Sequence, residues 1–434
     1  MAFKQKNYCK FLCLAVLFFA ASFPVRAYEL QFSDKTQKTY LRWRKKTINL
    51  ALSTSLLRQP AANIKSNSDV AETVKRSLAT WEQAADVKFV VNWTDKQFMS
   101  PDENGDGVSL ITFAATPENL VVFQNEAKDE TGQTRVFFNK SGYITEADIV
   151  LNPFQKFSTD GSFGTFDLEA ALTHEIGHLL GLAHSTVQSA AMYPQQGKNG
   201  MFNLPAFELR TLAEDDRAAL RFLYGARGEE KDLCCRQISG VLQSSDGKPL
   251  KHWQVWAEET LTGRLVAAVT TQKDGSFQIN GLKTGKYRVL TQPLDVNFNG
   301  ETIGEFMLEN ENVVNLQRQI TLRSRTIKSP LIGYRGQLSA LALALSPDRS
   351  HVILVGGENY YFADFAAGRI DVNSTFLAVN QTSFGVPSFD FSFPVLSFEI
   401  AVDKNAPPGE YSLEMHKQNG ENFYLLGCFS VKNH

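Results

Sequence analysis

The sequence predicts a chain of several domains: an α+β region over residues 28–228, then two all-β sandwiches over 229–325 and 326–434. Three observations carry this reading. Between Tyr28 and Gly228, short strand patterns alternate with stretches of helical period. After the polar linker Gly228-Glu229-Glu230-Lys231-Asp232 the pattern changes to short alternating strands broken by frequent turns. One helical stretch, running into His174-Glu175-Ile176-Gly177-His178-Leu179-Leu180-Gly181-Leu182-Ala183-His184, places three histidines around which the first region is organised.

Residues 1–27 read as a signal peptide. Lys4, Lys6 and Lys10 supply the positive start, Phe11 to Ala21 an apolar run too short for a comfortable membrane span, and Val25-Arg26-Ala27 a small-residue cleavage site. The alternative is an uncleaved anchor. No later run is long and apolar enough to span a bilayer, so the mature chain is expected outside the cytoplasm, either secreted or in the periplasm or at the cell surface.

In the first region, Ile48-Asn49-Leu50-Ala51-Leu52 alternates as a strand. Asp69 to Ala84 is amphipathic, with Val70, Val74, Leu78 and Trp81 on one face and Asp69 able to cap it. Val87–Val91, Leu110–Phe113, Thr134–Phe138 and Ala147–Asn152 follow as strands. A second helix is expected to start at Asp167, its N-cap, and to carry the histidines.

His174 and His178 are four residues apart, so on a helix they stand one above the other on the same face. Two neutral imidazoles there can share one Zn²⁺. Glu175 lies slightly round the helix, able to reach a water on the metal without ligating it. Gly181 can take the left-handed conformation that ends a helix, and the turn lets His184 return as third ligand. Three histidines leave a fourth zinc position open, as a catalytic site requires.

This stretch resembles the metzincin zinc proteases. Ser185 and Ala190-Ala191-Met192-Tyr193-Pro194 resemble the matrixin branch in particular. The resemblance implies Zn²⁺ on His174, His178 and His184, Glu175 as general base, and Met192 as the methionine packed beneath the zinc ligands. Ala147-Asp148-Ile149 is similar to a matrixin strand, and Leu212 to Gly225 to the matrixin C-terminal helix, in which the Asp215-Asp216 pair supports the Met192 turn. By the residues alone, that pair is also suited to the first turn of a helix. The chain departs from animal matrixins in two ways. No Pro-Arg-Cys-Gly latency segment stands between Tyr28 and the first strand, and Asn152 to Asp167 is too short for an insert carrying a second zinc. The enzyme is therefore expected to be exported active or restrained by other means.

Asp102-Glu103-Asn104-Gly105-Asp106-Gly107 reads as a plain acidic turn or as the front of a calcium loop. Matrixins often hold structural calcium, so Ca²⁺ on Asp102, Asn104, Asp106 and Asp148 is carried as an expectation.

The later regions read as extracellular β-structure. Ile238–Leu242, Ser245–Leu250 and Trp253–Ala257 read strand, turn, strand, and Asp274-Gly275 sits at an expected hairpin turn. With Gly281–Val289 they resemble the transthyretin-like sandwich of carboxypeptidase regulatory domains. From residue 326, Leu338–Leu343, His351–Gly357 and Tyr411–Met415 read as strands of an immunoglobulin-like sandwich, and Asn405 to Tyr411 as the turn before the last hairpin. His351 and His416 are expected on solvated strand faces, and the Phe389–Phe393 segment in a core or edge strand.

Lys and Arg number 44 against 46 Asp and Glu, a net charge of −2 that offers no field for nucleic acid. Once the leader is gone only Cys234, Cys235 and Cys428 remain, too few for a disulfide framework. A vicinal Cys234–Cys235 bridge and a bridge to Cys428 are both open. The expected function is a secreted, monomeric zinc endopeptidase acting on protein or peptide substrates, with the sandwiches contacting a cell surface or matrix. The alternatives are a non-catalytic adhesin with a vestigial protease domain, and a zinc enzyme that cleaves some other bond.

Overall fold

A computed structural model describes residues 30–432 except 34–38, 58–62, 124–129, 204–209, 232–233, 295–299, 310–312, 323–329, 359–368 and 418–419. The signal peptide expected over 1–27 lies outside the described residues. Among the described residues no helix is long and apolar enough to cross a membrane.

The first region contains, in order, β1 (Arg42–Trp43), β2 (Thr47–Ser53), α1 (Val70–Ala84), β3 (Lys88–Thr94), β4 (Leu110–Thr112), α2 (Pro117–Leu120), β5 (Gly132–Phe138), β6 (Tyr143–Leu151), β7 (Phe157–Ser158), β8 (Phe166–Asp167), α3 (Leu168–Leu179) and α4 (Glu214–Tyr224). β2 and β3 are parallel neighbours joined through α1, because parallel strands need a crossover. β4 and β6 extend the parallel sheet, β1 pairs with the start of β6, and β5 closes the edge as its one antiparallel member.

α1 forms where the sequence places it. Asp69 accepts the N–H of Glu72, and Val70, Val74, Leu78 and Trp81 are buried. That face meets α3: the Trp81 indole donates to the Thr173 carbonyl over 2.9 Å, and Ser77 donates to the Glu169 carbonyl over 3.1 Å. α3 starts at Asp167, whose side chain accepts the Ala170 N–H and is held by Arg210 at 2.7 Å. The carbonyls left over at its far end have partners, as a buried helix end requires. Trp43 Nε1 donates to Leu179 and Tyr224 Oη to Leu180.

The remaining chain is all β: β9 (Arg236–Ser244), β10 (Trp253–Glu259), β11 (Leu265–Thr270), β12 (Ser276–Leu282), β13 (Gly285–Pro293), β14 (Glu301–Leu308), β15 (Val313–Ile320), β16 (Leu331–Tyr334), β17 (Gln337–Ser339), β18 (Leu343–Leu345), β19 (Arg349–Gly356), β20 (Arg369–Val372), β21 (Leu377–Gly385), β22 (Val395–Val402), β23 (Gly409–His416) and β24 (Asn422–Val431). The sequence reading expects two sandwiches side by side. The structure joins them through a shared sheet, in the order β14-β13-β10-β11-β23-β24-β18 with β20 on β23. Leu265 of β11 pairs with Glu410 of β23 at the seam. β12-β9-β15 covers one end of this sheet, and β17-β16-β19-β22-β21 forms the other layer.

Four local expectations give way. Asp274-Gly275 does turn the chain, but β11 and β12 lie in different sheets, so the turn carries the chain between layers and closes no hairpin. Leu338–Leu343 is two short strands, β17 and β18, in different sheets. Phe389–Phe393 lies outside any strand, flanked by Pro387 and Pro394, which cannot donate to a ladder. Of the cysteine alternatives, Cys234 and Cys235 are bridged and Cys428 is a buried free thiol. His416 is less solvated than expected: it is half-buried between Glu414 and Asn422.

One hydrophobic core runs from the first region into β9–β15 without a break, joining Leu220 and Leu223 of α4 to Ile238, Phe277 and Leu282.

Candidate metal centre

The site is built by α3 and the turn after it. At the helix end Gly181 N–H bonds to the His178 carbonyl and Leu182 N–H to the Gly177 carbonyl, each at 3.0 Å. This closure needs a left-handed residue, and Gly181 has φ of +95°. A Cβ there would also run into the Leu41 carbonyl. The chain reverses and brings His184 back.

The ring centroids of His174, His178 and His184 lie 4.8, 4.9 and 5.2 Å apart, and one nitrogen of each lies within 4.8 Å of the others. His174 Nδ1 is 2.7 Å from the Ala191 carbonyl, and His178 Nδ1 is 2.8 Å from the Leu182 carbonyl. A carbonyl only accepts, so each Nδ1 carries the proton and each Nε2 keeps its lone pair for a metal. Burial pushes the pKa of all three histidines down, that of His184 to about 3, which leaves neutral imidazoles. Three neutral nitrogen donors this close together fit Zn²⁺.

Glu175 is buried beside them, with 3% exposure. Its Oε2 accepts from Thr134 Oγ1 at 2.6 Å, across from β5. Burial raises its pKa to about 7, and the Thr134 hydrogen bond opposes that rise. Gly132 gives it room, since a Cβ at 132 would lie 2.9 Å from Glu175 Oε1.

Met192 sits beneath α3. A Cβ on Gly177 would overlap its sulfur and lie 2.9 Å from Trp81 Cζ2. The Met192 turn hangs on Asp216, whose carboxylate accepts the N–H groups of Ala191 at 2.8 Å, Met192 at 3.2 Å and Ala213 at 2.9 Å. Ser185 closes the loop from the other side: its N–H bonds to the Met192 carbonyl at 2.8 Å, and its hydroxyl donates to Asp215 Oδ2 at 2.7 Å.

The residues named for calcium have these partners. Asp148 accepts the N–H groups of Ser100 at 2.7 Å and Leu110 at 3.0 Å, so both its oxygens already serve the backbone. Asp106 pairs with Lys96, and the turn of Asp102 and Asn104 folds onto Glu146 through Gly107 N–H. Among the described residues the three histidines are the one group of His, Cys, Asp or Glu close enough to share a metal.

Residues 42–225 match the family model described as Matrixin. This segment is a matrixin domain. Its relatives include matrix metalloproteinase-20 of Homo sapiens, 30% identical over 189 residues, or 43% of this chain and 33% of that protein. Metalloendoproteinase 1-MMP of Arabidopsis thaliana is 27% identical over 195 residues, covering 42% of this chain and 44% of that one. Matrilysin of Homo sapiens is 37% identical over 73 residues, covering 17% of this chain and 25% of that one. The chain thus spans less than half the length of each. Among solved structures, the major pilin subunit BcpA of Bacillus cereus aligns over 46% of this chain and 68% of its own at 12% identity. Its TM-score of 0.18 is too low to say anything about the fold of this chain.

Two contributors to the matrixin domain's site are not found by reading the sequence: Thr134 and Gly132, both on β5. Strand alternation places Thr134 on a face, but nothing in a single sequence says that Glu175 lies opposite.

Proposed function

We propose that this chain is an exported zinc endopeptidase that hydrolyses peptide bonds of protein substrates. The observation that carries the reading is the convergence of three neutral histidine nitrogens beside a buried carboxylate, Glu175, held by Thr134, in a matrixin domain. When bound, Zn²⁺ supplies a Lewis acid that polarises the scissile carbonyl and lowers the pKa of a water to roughly 7.

The protein's own part is positional. His174 and His178 supply Nε2 donors whose tautomer is set by backbone carbonyls, and His184 supplies the third nitrogen. Glu175 takes the proton of the attacking water and delivers it to the leaving amine. A carboxylate whose pKa stands near 7 is suited to both accepting and releasing that proton. Thr134 holds it against β5, and the buried floor of Met192, Ile176 and Trp81 keeps bulk water from the back of the ligands.

Export rests on the charged start and apolar run of residues 1–27. We take the enzyme to be a monomer whose β region contacts a cell surface or matrix. Loss of binding to intact cells or matrix when that region's exposed residues are substituted tests this part.

The deciding experiment is zinc content and cleavage of an unfolded protein by the purified mature chain, beside Glu175→Ala. Wild type with one zinc per chain and cleavage, against a variant with zinc and none, is the expected result. Failure of wild type to bind zinc overturns the site, and zinc without cleavage of a broad peptide library overturns the enzyme.

A further inference from the structure

The segment from His184 to Met192 lies between the third zinc ligand and the floor of the site, and its outer side is built by the β region. Four contacts make this joint. Asp215, at the start of α4, uses Oδ2 to accept from Ser185 and Oδ1 to accept the N–H of Ala268 in β11 over 2.7 Å. The carboxylate is 1% exposed and has one oxygen on each side of the boundary. Gln188 N–H donates to the Leu426 carbonyl of β24 at 3.0 Å. Gly427, at φ of +57°, lets Val187 and Ser189 lie against the strand, where a Cβ would overlap Val187 Cγ1. Val187 and Ala190 are buried in a common apolar cluster with Trp256, Leu265, Ala268, Tyr424 and Leu426.

The same boundary is tied along α4. Arg221 donates to the Gly281 carbonyl at 3.0 Å, and Glu214 N–H to the Glu410 side chain at 3.2 Å. Ala268 N–H donates to the Asp215 side chain. β11 has β23 beside it only at Leu265.

We infer that β11 and β24 set the position of the His184–Met192 segment, with Asp215 and Gly427 as positioning residues, so that the zinc-holding unit comprises the matrixin domain and the β region together. This rests on the zinc reading above. It differs from a role in which the β region only tethers the enzyme, because a tether need not touch the loop that carries the third ligand. Asp215 touches neither metal nor substrate and acts through Ser185. Where Asp216 holds the turn from within the matrixin domain, Asp215 connects it to the sheet outside.

The test uses the full mature chain loaded with zinc, and reads the rate of zinc release to a competing chromogenic chelator. Asp215→Ala removes both acceptors, and Gly427→Val drives a side chain into Val187. Ile353→Ala, in the core of β19 away from the loop, lowers stability without touching the joint. Asp215→Ala and Gly427→Val are expected to speed zinc release by about tenfold or more, and Ile353→Ala by less than about twofold at matched unfolding temperature. Wild-type release rates in both joint variants would overturn the inference. So would equal acceleration by Ile353→Ala, which would make the effect one of general stability. If Gly427→Val does not fold, Asp215→Ala alone decides the matter by the same comparison. Zinc release is read without any peptide substrate, so a wild type that holds zinc and cleaves nothing would sink the endopeptidase reading while this comparison still gives its answer.

Discussion

The hydroxyl of Thr134 reaches two oxygens of Glu175, the carboxylate Oε2 at 2.6 Å and the backbone carbonyl at 3.2 Å. One side chain on the edge strand thereby fixes both the Glu175 carboxylate and the helical turn that bears it. Thr134→Val keeps the shape and removes the donor. It is expected to lower kcat by about tenfold to a hundredfold with KM nearly unchanged and zinc content intact, and Thr134→Ser to restore most of the loss. Steady-state kinetics beside metal analysis would check it, and an unchanged kcat in the valine variant would remove Thr134 from the mechanism.

Zinc should also hold the fold. The three histidines are neutral, and in the unfolded chain they have no common geometry, so the ion binds the native state alone. At free zinc a thousandfold above its dissociation constant this stabilises by about 4 kcal/mol. Thermal unfolding in a strong chelator is expected at a lower temperature than in zinc, with recovery when zinc is returned. A midpoint indifferent to the chelator would contradict the site.

Gly177 is the tightest place under the ligands. Adding a methyl group there forces Met192 and Trp81 to move, an overpacking expected to cost about 1–3 kcal/mol. Denaturant unfolding of Gly177→Ala would measure it. Met192→Leu, which conserves volume, should lose less than about 1.5 kcal/mol.

The junction of the β regions gives a pH dependence. Glu258 is 1% exposed, and burial raises its pKa from 4.5 to about 7, against the pull of Arg288. A folded-state pKa above the unfolded one favours the protonated form on folding. Its contribution is complete below about pH 4.5 and is lost as pH climbs through about 7. Glu258→Gln removes this titration, so its melting temperature relative to wild type should be more favourable at pH 8 than at pH 5. A difference independent of pH would show that Glu258 is ionised throughout.

Much of the metal centre was legible because it is local. A period of 3.6 stacks His174 on His178, a left-handed glycine returns His184, and Asp69 and Asp167 cap helices as their positions suggest. What sequence alone did not carry depends on partners far along the chain. Asp-Gly at 274–275 announces a turn but not which sheet receives the next strand. Alternating acids at 102–106 suggest a cation loop, but nothing in the sequence says that Asp148 accepts the backbone N–H groups of Ser100 and Leu110. Strand patterns on either side of residue 326 gave no sign that Leu265 and Glu410 would meet and fuse two sandwiches into one sheet. Asp215 suits a helix start by itself, and its second role exists only once Ala268 is beside it.

The bond from Gln188 to Leu426 joins residues more than two hundred positions apart. Contacts of such separation form late, because the intervening chain must be ordered first. The histidine helix can be assembled early from neighbours in sequence, while the loop behind its third ligand waits for β24. The closing loop of the site is thereby the part of the first region whose geometry waits on a strand near the far end of the β region.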